Sequence, residues 1–295
     1  MKLNFRFTII IFLVMAALFS GLGRSVSAFD EIWYLKHLLK IAKNPPVEKF
    51  PSERIYLKEK VIFCTGTGRA AVVNNQAAEL IIAGKYREAE KILDAALSER
   101  SLFFPFRYNL GICHLYHNEL KLSHLHFTKA MQAVPEYWIT YMQLGYIYER
   151  WNRDSEAIES FRKALGLNNR DINVFVSIGD IFYKRNQLEM ARKYYDASLK
   201  LQHRFPNGLL GRAKIYFRRG KYLKAMNLLK TINLRKAYDR SLHYYFGESA
   251  FKLRDYKTAA EQYRILLQYQ TDRFFLTTSP VLIKHKLYLS NQFIQ

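Results

Sequence analysis

An all-α repeat solenoid is the fold class the sequence predicts, and three periodicities carry that prediction. Small residues recur every 34 positions at Ala77, Gly111, Gly145, Gly179, Ala213 and Gly247. A second small column, Ala89, Ser123, Ala157, Ala191, Ala225 and Ala259, keeps the same step. A bulky column follows it at Leu93, Phe127, Phe161, Tyr195, Leu229 and Tyr263. Columns that stay in step over six units without an insertion mark stacked supersecondary units, none of which can bury its apolar face alone.

Each unit reads as an antiparallel helix pair. Three places after the first small column stands a bulky residue (Leu80, His114, Tyr148, Phe182 and Tyr216, with Ala250 in the sixth unit). That spacing puts both on one helix face, where the small residue lets a partner helix come close. The turn between the helices falls at Gly84, Asn118, Asn152, Asn186 and Gly220, the residue types that best tolerate a left-handed backbone at a helix end. Arg254 interrupts this column, so the last turn is expected to be built differently.

The segment 141–168, YMQLGYIYERWNRDSEAIESFRKALGLN, resembles the tetratricopeptide repeat family through Leu144, Gly145, Tyr148, Ala157, Phe161 and Ala164. The preceding unit adds the family's closing proline as Pro135. The resemblance implies a right-handed superhelical solenoid of six units, at 70–103, 104–137, 138–171, 172–205, 206–239 and 240–273. The first unit departs furthest, with Gln76 and Ala77 where the family has Leu-Gly, and the fifth carries Arg212 at a usually apolar slot. Residues 274–295 are expected to form a capping helix, with Ser279 as N-cap, Pro280 in its first turn and Val281, Leu282, Leu287 and Phe293 as its apolar residues. Residues 29–69 are expected to hold one amphipathic helix, stopped by Pro45 and Pro46, and a connector of no assigned structure.

The 295-residue chain has a formal charge of +21, which favours anionic partners without choosing among them. At its start, MKLNFR precedes an apolar run of 17 residues and a close with small residues at Val26 and Ala28. This reads as an export signal, residues 1–28, cleaved after Ala28. An uncleaved N-terminal anchor is the alternative, and membrane contact is expected only in that case. The expected setting is the periplasm or cell envelope, which disfavours nucleic acid as partner.

Candidate chemistry is sparse. TGTGRAA (65–71) lacks both the third glycine of a dinucleotide fingerprint and the Gly-Lys-Ser/Thr of a P-loop, so it reads as a lead into the first helix. His114, His117, His124 and His126 cluster in the second unit, but without a carboxylate or thiolate companion in the sequence pattern, so no metal site is expected. Cys113 reads as a small core residue more than as half of a bridge to Cys64. No nucleophile, base and orienting carboxylate form a set, so neither catalysis nor a cofactor is expected.

Binding along a concave groove is the expectation instead. The resemblance implies that the first helix of each unit lines it. In this register the groove face carries Asn74, Tyr108, Asn109, Tyr116, Met142, Tyr146, Tyr183, Phe217, Tyr244 and Tyr245, an aromatic trough suited to a helix or extended peptide. Lys214 and a column of one cation per unit, Arg150, Lys184, Arg218 and Lys252, edge the trough. The residue set by which one branch of the family grips a terminal carboxylate is met only at Asn109; Asn74, Ala78, Ile139 and Gln143 do not match it. Net charge by unit runs −1, +1, 0, +3, +8 and +2, so the basic bias lies toward the C-terminal units. The expected partner is a protein or peptide with an acidic portion. The alternative is direct binding of an anionic envelope polymer, such as cell-wall glycan or lipid headgroups.

Overall fold

The computed structural model describes residues 55–167, 171–232, 240–268 and 279–294, all within one compact unit. The export signal and the amphipathic helix expected before Pro45 lie outside these residues. Thirteen helices are present among the described residues. They pair as α1 (Arg69–Ile82) with α2 (Tyr86–Leu97), α3 (Phe104–Tyr116) with α4 (Leu120–Ala133), and α5 (Trp138–Arg150) with α6 (Asp154–Gly166). The series continues as α7 (Asn173–Lys184) with α8 (Leu188–Leu201), α9 (Pro206–Arg218) with α10 (Tyr222–Lys230), and α11 (Arg240–Lys252) with α12 (Tyr256–Gln268), and α13 (Pro280–Gln292) packs on α12. The fold is an all-α solenoid.

The small columns act by close approach. A Cβ built on Gly145 would stand 2.6 Å from the Phe161 ring, and one on Gly179 would stand 2.7 Å from Tyr195. In the four pairs with glycine in this column the second helix therefore lays an aromatic ring directly on the backbone of the first, and any side chain there would force the helices apart.

The turn column adopts the left-handed backbone throughout, with φ of 63° at Asn118, 57° at Asn152, 60° at Asn186 and 70° at Gly220. Arg254 does the same at 63°, which corrects the expectation of a different last turn. Its turn closes with Asp255 N–H donating to Ala250 O at 2.9 Å, the counterpart of Glu119 N–H to Ala250's equivalent, His114 O, at 2.8 Å. Packing of α11 on α12 thus overrides the residue's own preference. Arg254→Gly should therefore stabilise the protein by about 0.5–1 kcal/mol, since a left-handed backbone strains every side chain but glycine's. Chemical denaturation measures this, and a variant no more stable than the parent sinks the claim.

Of the four apolar residues that mark the C-terminal helix, Leu287 alone packs on the core. Ile283 and Ser290 are fully buried and Leu287 joins the core, while Val281 is 74% exposed and Leu282 and Phe293 are also exposed. The reason is an ion pair. Lys286 Nζ lies 2.6 Å from both oxygens of buried Glu248, which also accepts from Tyr263 OH at 2.9 Å. The same arrangement occurs two units earlier, where Asp180 accepts from Tyr195 OH at 2.7 Å and from Lys214 Nζ at 2.9 Å. Helix α13 therefore docks as the first helix of another pair would. Val281, 34 places after Gly247, puts a branched side chain where close approach of a second helix needs a small one.

Candidate functional site

Within the described part of the connector before α1, residues 55–64 form a β-hairpin, which was not expected from the sequence. Strands β1 (Ile55–Lys58) and β2 (Val61–Cys64) pair antiparallel in the register Lys58 to Val61 and Tyr56 to Phe63. The two-residue turn has φ of 50° at Glu59 and 68° at Lys60, both left-handed as a type I′ hairpin requires. All four residues of β2 are buried, against α1 and α3.

Three asparagines hold the free edge of β2. In this register Ile62 and Cys64 turn their backbone groups away from β1. Ile62 N–H donates to Asn109 Oδ1 at 3.0 Å, while its carbonyl accepts from Asn109 Nδ2 and Asn74 Nδ2, both at 2.8 Å. Cys64 N–H donates to Asn75 Oδ1 and Cys64 O accepts from Asn75 Nδ2, again at 2.8 Å each. Asn109 also donates to Asn74 Oδ1 at 3.0 Å, which fixes both amides. Near the tip, Tyr108 OH donates to Lys60 O at 3.1 Å and accepts from Gln143 Nε2 at 3.2 Å.

Several residues expected to meet a partner therefore meet the chain itself. Asn74, Tyr108 and Asn109 are fully buried, and Met142 is nearly so. Projecting the groove from the helices alone had no strand to place there. Asn75 was not among the expected residues; its signal was the paired Asn74-Asn75 on one turn of α1, opposite Asn109.

Beyond the hairpin tip a polar cleft of about 410 Å³ opens between Tyr146, Asn173, Ser177, Asp180, Asn207 and Lys214, with Lys60 at its margin. Asn207 Nδ2 donates to Asn173 Oδ1 at 2.8 Å, a second cross-unit amide pair like Asn109 with Asn74. Burial, reinforced by Asp171, pushes the Tyr146 phenol up to about 12. Burial, with Asp180 next, raises the Glu149 carboxyl to about 7 against the pull of Lys184 and Lys214. Further along, Tyr183 OH lies 3.4 Å from Tyr245 OH, and the Tyr245 ring packs edge-on against Phe217 and Tyr244 at 5.4 and 5.2 Å. The Arg218 guanidinium covers the Tyr183 ring at 4.8 Å, a cation–π contact.

The cation column binds the turn column of the preceding unit. Arg150 donates to Asn118 Oδ1, Lys184 to Asn152 Oδ1 at 2.9 Å and Arg218 to Asn186 Oδ1 at 3.3 Å. Lys184 also pairs with Asp154 at 3.0 Å. The ladder ends where its acceptor does, because Lys252 follows Gly220, which has no side chain. At the other end Tyr116 follows Gly84; it is 61% exposed and stacks on Tyr86 at 4.3 Å.

The histidine cluster does have carboxylate companions, contrary to the sequence reading. His114 Nδ1 is 2.7 Å from Glu119 Oε2, and Glu90 completes a group within 4.8 Å. Arg87 already bridges both carboxylates, at 2.9 Å to Glu119 and 3.0 Å to Glu90, so a guanidinium stands where a metal would need those oxygens. Burial, with His114 next, lowers the His126 imidazole to about 4. Cys64 and Cys113 are buried thiols and do not pair; burial pushes the Cys113 thiol up to about 12.

The tetratricopeptide repeat family matches residues 140–171 and, through a second profile, 176–232. The first stretch takes in the Gly145–Phe161 contact and the second the Gly179–Tyr195 contact. The array is one of tetratricopeptide repeats. Among curated proteins, this tetratricopeptide-repeat chain is 26% identical over 169 residues to the Protein CTR9 homolog of Arabidopsis thaliana, covering 55% of this chain and 15% of that one. It is 22% identical over 163 residues to anaphase-promoting complex subunit 3 of Schizosaccharomyces pombe, covering 55% and 24%. The chain thus spans less than a quarter of these relatives. In fold it is similar to PilW, described as a type IV pilus biogenesis factor, with a TM-score of 0.61 at 18% identity, over 74% of this chain and all of that one. Pseudomonas aeruginosa PilF gives 0.60 at 16% identity, over 73% and 96%. The Cut9–Hcn1 complex gives 0.62 at 16%, over 89% of this chain and 47% of that one.

Proposed function

We propose that this protein is a non-enzymatic scaffold that holds an extended, partly acidic segment of a partner protein in the groove beyond its own hairpin. Tetratricopeptide-repeat proteins act as protein-interaction scaffolds. The observation that carries the reading here is the grip on β2: first-helix amides of two successive units take the backbone of an extended strand, independent of its side chains. Farther along, Asn173 and Asn207 offer a second amide pair in an open cleft, followed by the Tyr183, Phe217, Tyr244 and Tyr245 wall. The C-terminal basic bias supplies the preference for acid, chiefly through cations such as Lys252 and Lys221 that lie outside the turn ladder. Arg150, Lys184 and Arg218 tie units together, so they favour the anionic-polymer alternative less than their count suggests. The setting we assign, periplasm or envelope, rests on the export signal read at 1–28.

A photo-crosslinker placed at Phe217 should capture a partner in cells, and one on the outer face at Leu223 should not. With that partner purified, Lys221→Glu combined with Lys252→Glu should weaken binding about tenfold at low salt and less at high salt. Equal capture at both positions overturns the groove, and unchanged affinity in the double variant overturns the acidic portion.

A further inference from the structure

The hairpin has two edges, and only one of them is held. In the register described above, Lys58 and Tyr56 exchange hydrogen bonds with Val61 and Phe63, so Ile55 and Leu57 point their N–H and C=O groups away from β2. Their counterparts on the other edge, Ile62 and Cys64, are satisfied by the asparagine clasp. Ile55 and Leu57 have no such partner among the described residues. The strand is also open to solvent, with Tyr56 46% and Leu57 38% exposed.

An exposed, unpaired strand edge bearing apolar side chains is a template for another strand, and proteins ordinarily blunt it with charge, proline or a covering element. Here the only blunting devices in the described strand are its four-residue length and Lys58. The clasp on β2 works the other way: it fixes the hairpin rigidly from behind and so presents β1 in a set position. We infer that β1 receives an extended segment of a partner protein by antiparallel or parallel strand addition. This deepens the scaffold reading, since it rests on there being a protein partner, but it uses a different surface from the helical wall.

The side-chain pattern of the incoming strand follows from the pleat. Ile55 and Leu57 share one face of β1, while Tyr56 and Lys58 share the other. Neighbouring residues on an added strand should therefore be apolar beside Leu57 and acidic beside Lys58, whose present partner, Glu79, is 3.6 Å away with both side chains half exposed. The occupant is an alternating apolar and acidic segment, the polarity that the chain's charge of +21 also favours.

The test uses the full chain and two synthetic eight-residue peptides of alternating valine and glutamate. One has an ordinary backbone, and the other is N-methylated at every second residue so that it keeps its side chains but loses one hydrogen-bonding edge. The ordinary peptide should bind and slow hydrogen exchange at the Leu57 amide, and the methylated one should bind at least tenfold more weakly. Equal binding of the two peptides overturns strand addition in favour of side-chain contact alone. No binding of either, while the Phe217 crosslinker still captures a partner, overturns the inference and leaves the scaffold reading standing. Slow exchange at Leu57 in the protein alone also overturns it: independent of concentration, it means that the chain covers its own edge, and dependent on concentration, it means that two copies pair there. Leu57→Pro, which removes the outward N–H, should abolish peptide binding, and protection at the Ile62 amide reports whether that variant keeps its hairpin.

Discussion

Asn109→Ala is expected to destabilise the protein by about 2–3 kcal/mol, because it strands a buried backbone donor. Ile62 N–H has Asn109 Oδ1 as its acceptor, and Ile62 and Asn109 are both fully buried. The Ile62 carbonyl would keep Asn74, so the loss falls on the donor and on the Asn74 oxygen that Asn109 also serves. Asn75→Ala, at a part-buried site where water can replace the amide, should cost less although it too strands a backbone donor, that of Cys64. Denaturant unfolding of both variants, with hydrogen exchange at Ile62, tests the ranking; an Asn109→Ala loss below about 0.5 kcal/mol, the size of an ordinary surface change, sinks it.

Lys286→Ala is expected to cost about 3–5 kcal/mol, the penalty for leaving a buried charge without its partner. Glu248 is 4% exposed and would retain only the Tyr263 hydroxyl. The damage should be local at first, with α13 exchanging its amides before the rest of the array, because in a solenoid each element leans only on its neighbours. Combining Glu248→Gln with Lys286→Met should recover most of the loss, since replacing both partners removes the uncompensated charge. Equal stability of Lys286→Ala and the double variant would mean that the pair contributes nothing beyond packing.

What was legible in the sequence was whatever repeats. The glycine column is forced by rings lying on backbone, and the asparagine turns are forced by a left-handed φ; both constraints recur every 34 residues and so stand out. At Arg254 the residue's own preference loses to the packing of two helices already in place. The hairpin was illegible for the opposite reason: it occurs once, its strands are four residues long, and its Glu-Lys turn lacks the glycine or asparagine that signals a type I′ turn. Asn74, Tyr108 and Asn109 are expected from the helices to meet a partner, and the strand that they meet instead leaves no mark in the helical periodicity. The cation column was visible as a line, and its acceptors were visible as another; that the two lines meet depends on the offset of 32 residues set by stacking.

That offset governs how the array could change length. A cation in one unit finds its asparagine in the unit before, so excising a whole 34-residue module between the second and fourth units brings another cation onto another asparagine and restores the joint. Excision of a length that is not a multiple of 34 leaves the joint broken. The first unit and the sixth are not exchangeable in this way, because one is bound to the hairpin through Asn74 and Asn75 and the other to α13 through Glu248. The protein is thus built as an extensible middle between two fittings made for one place each.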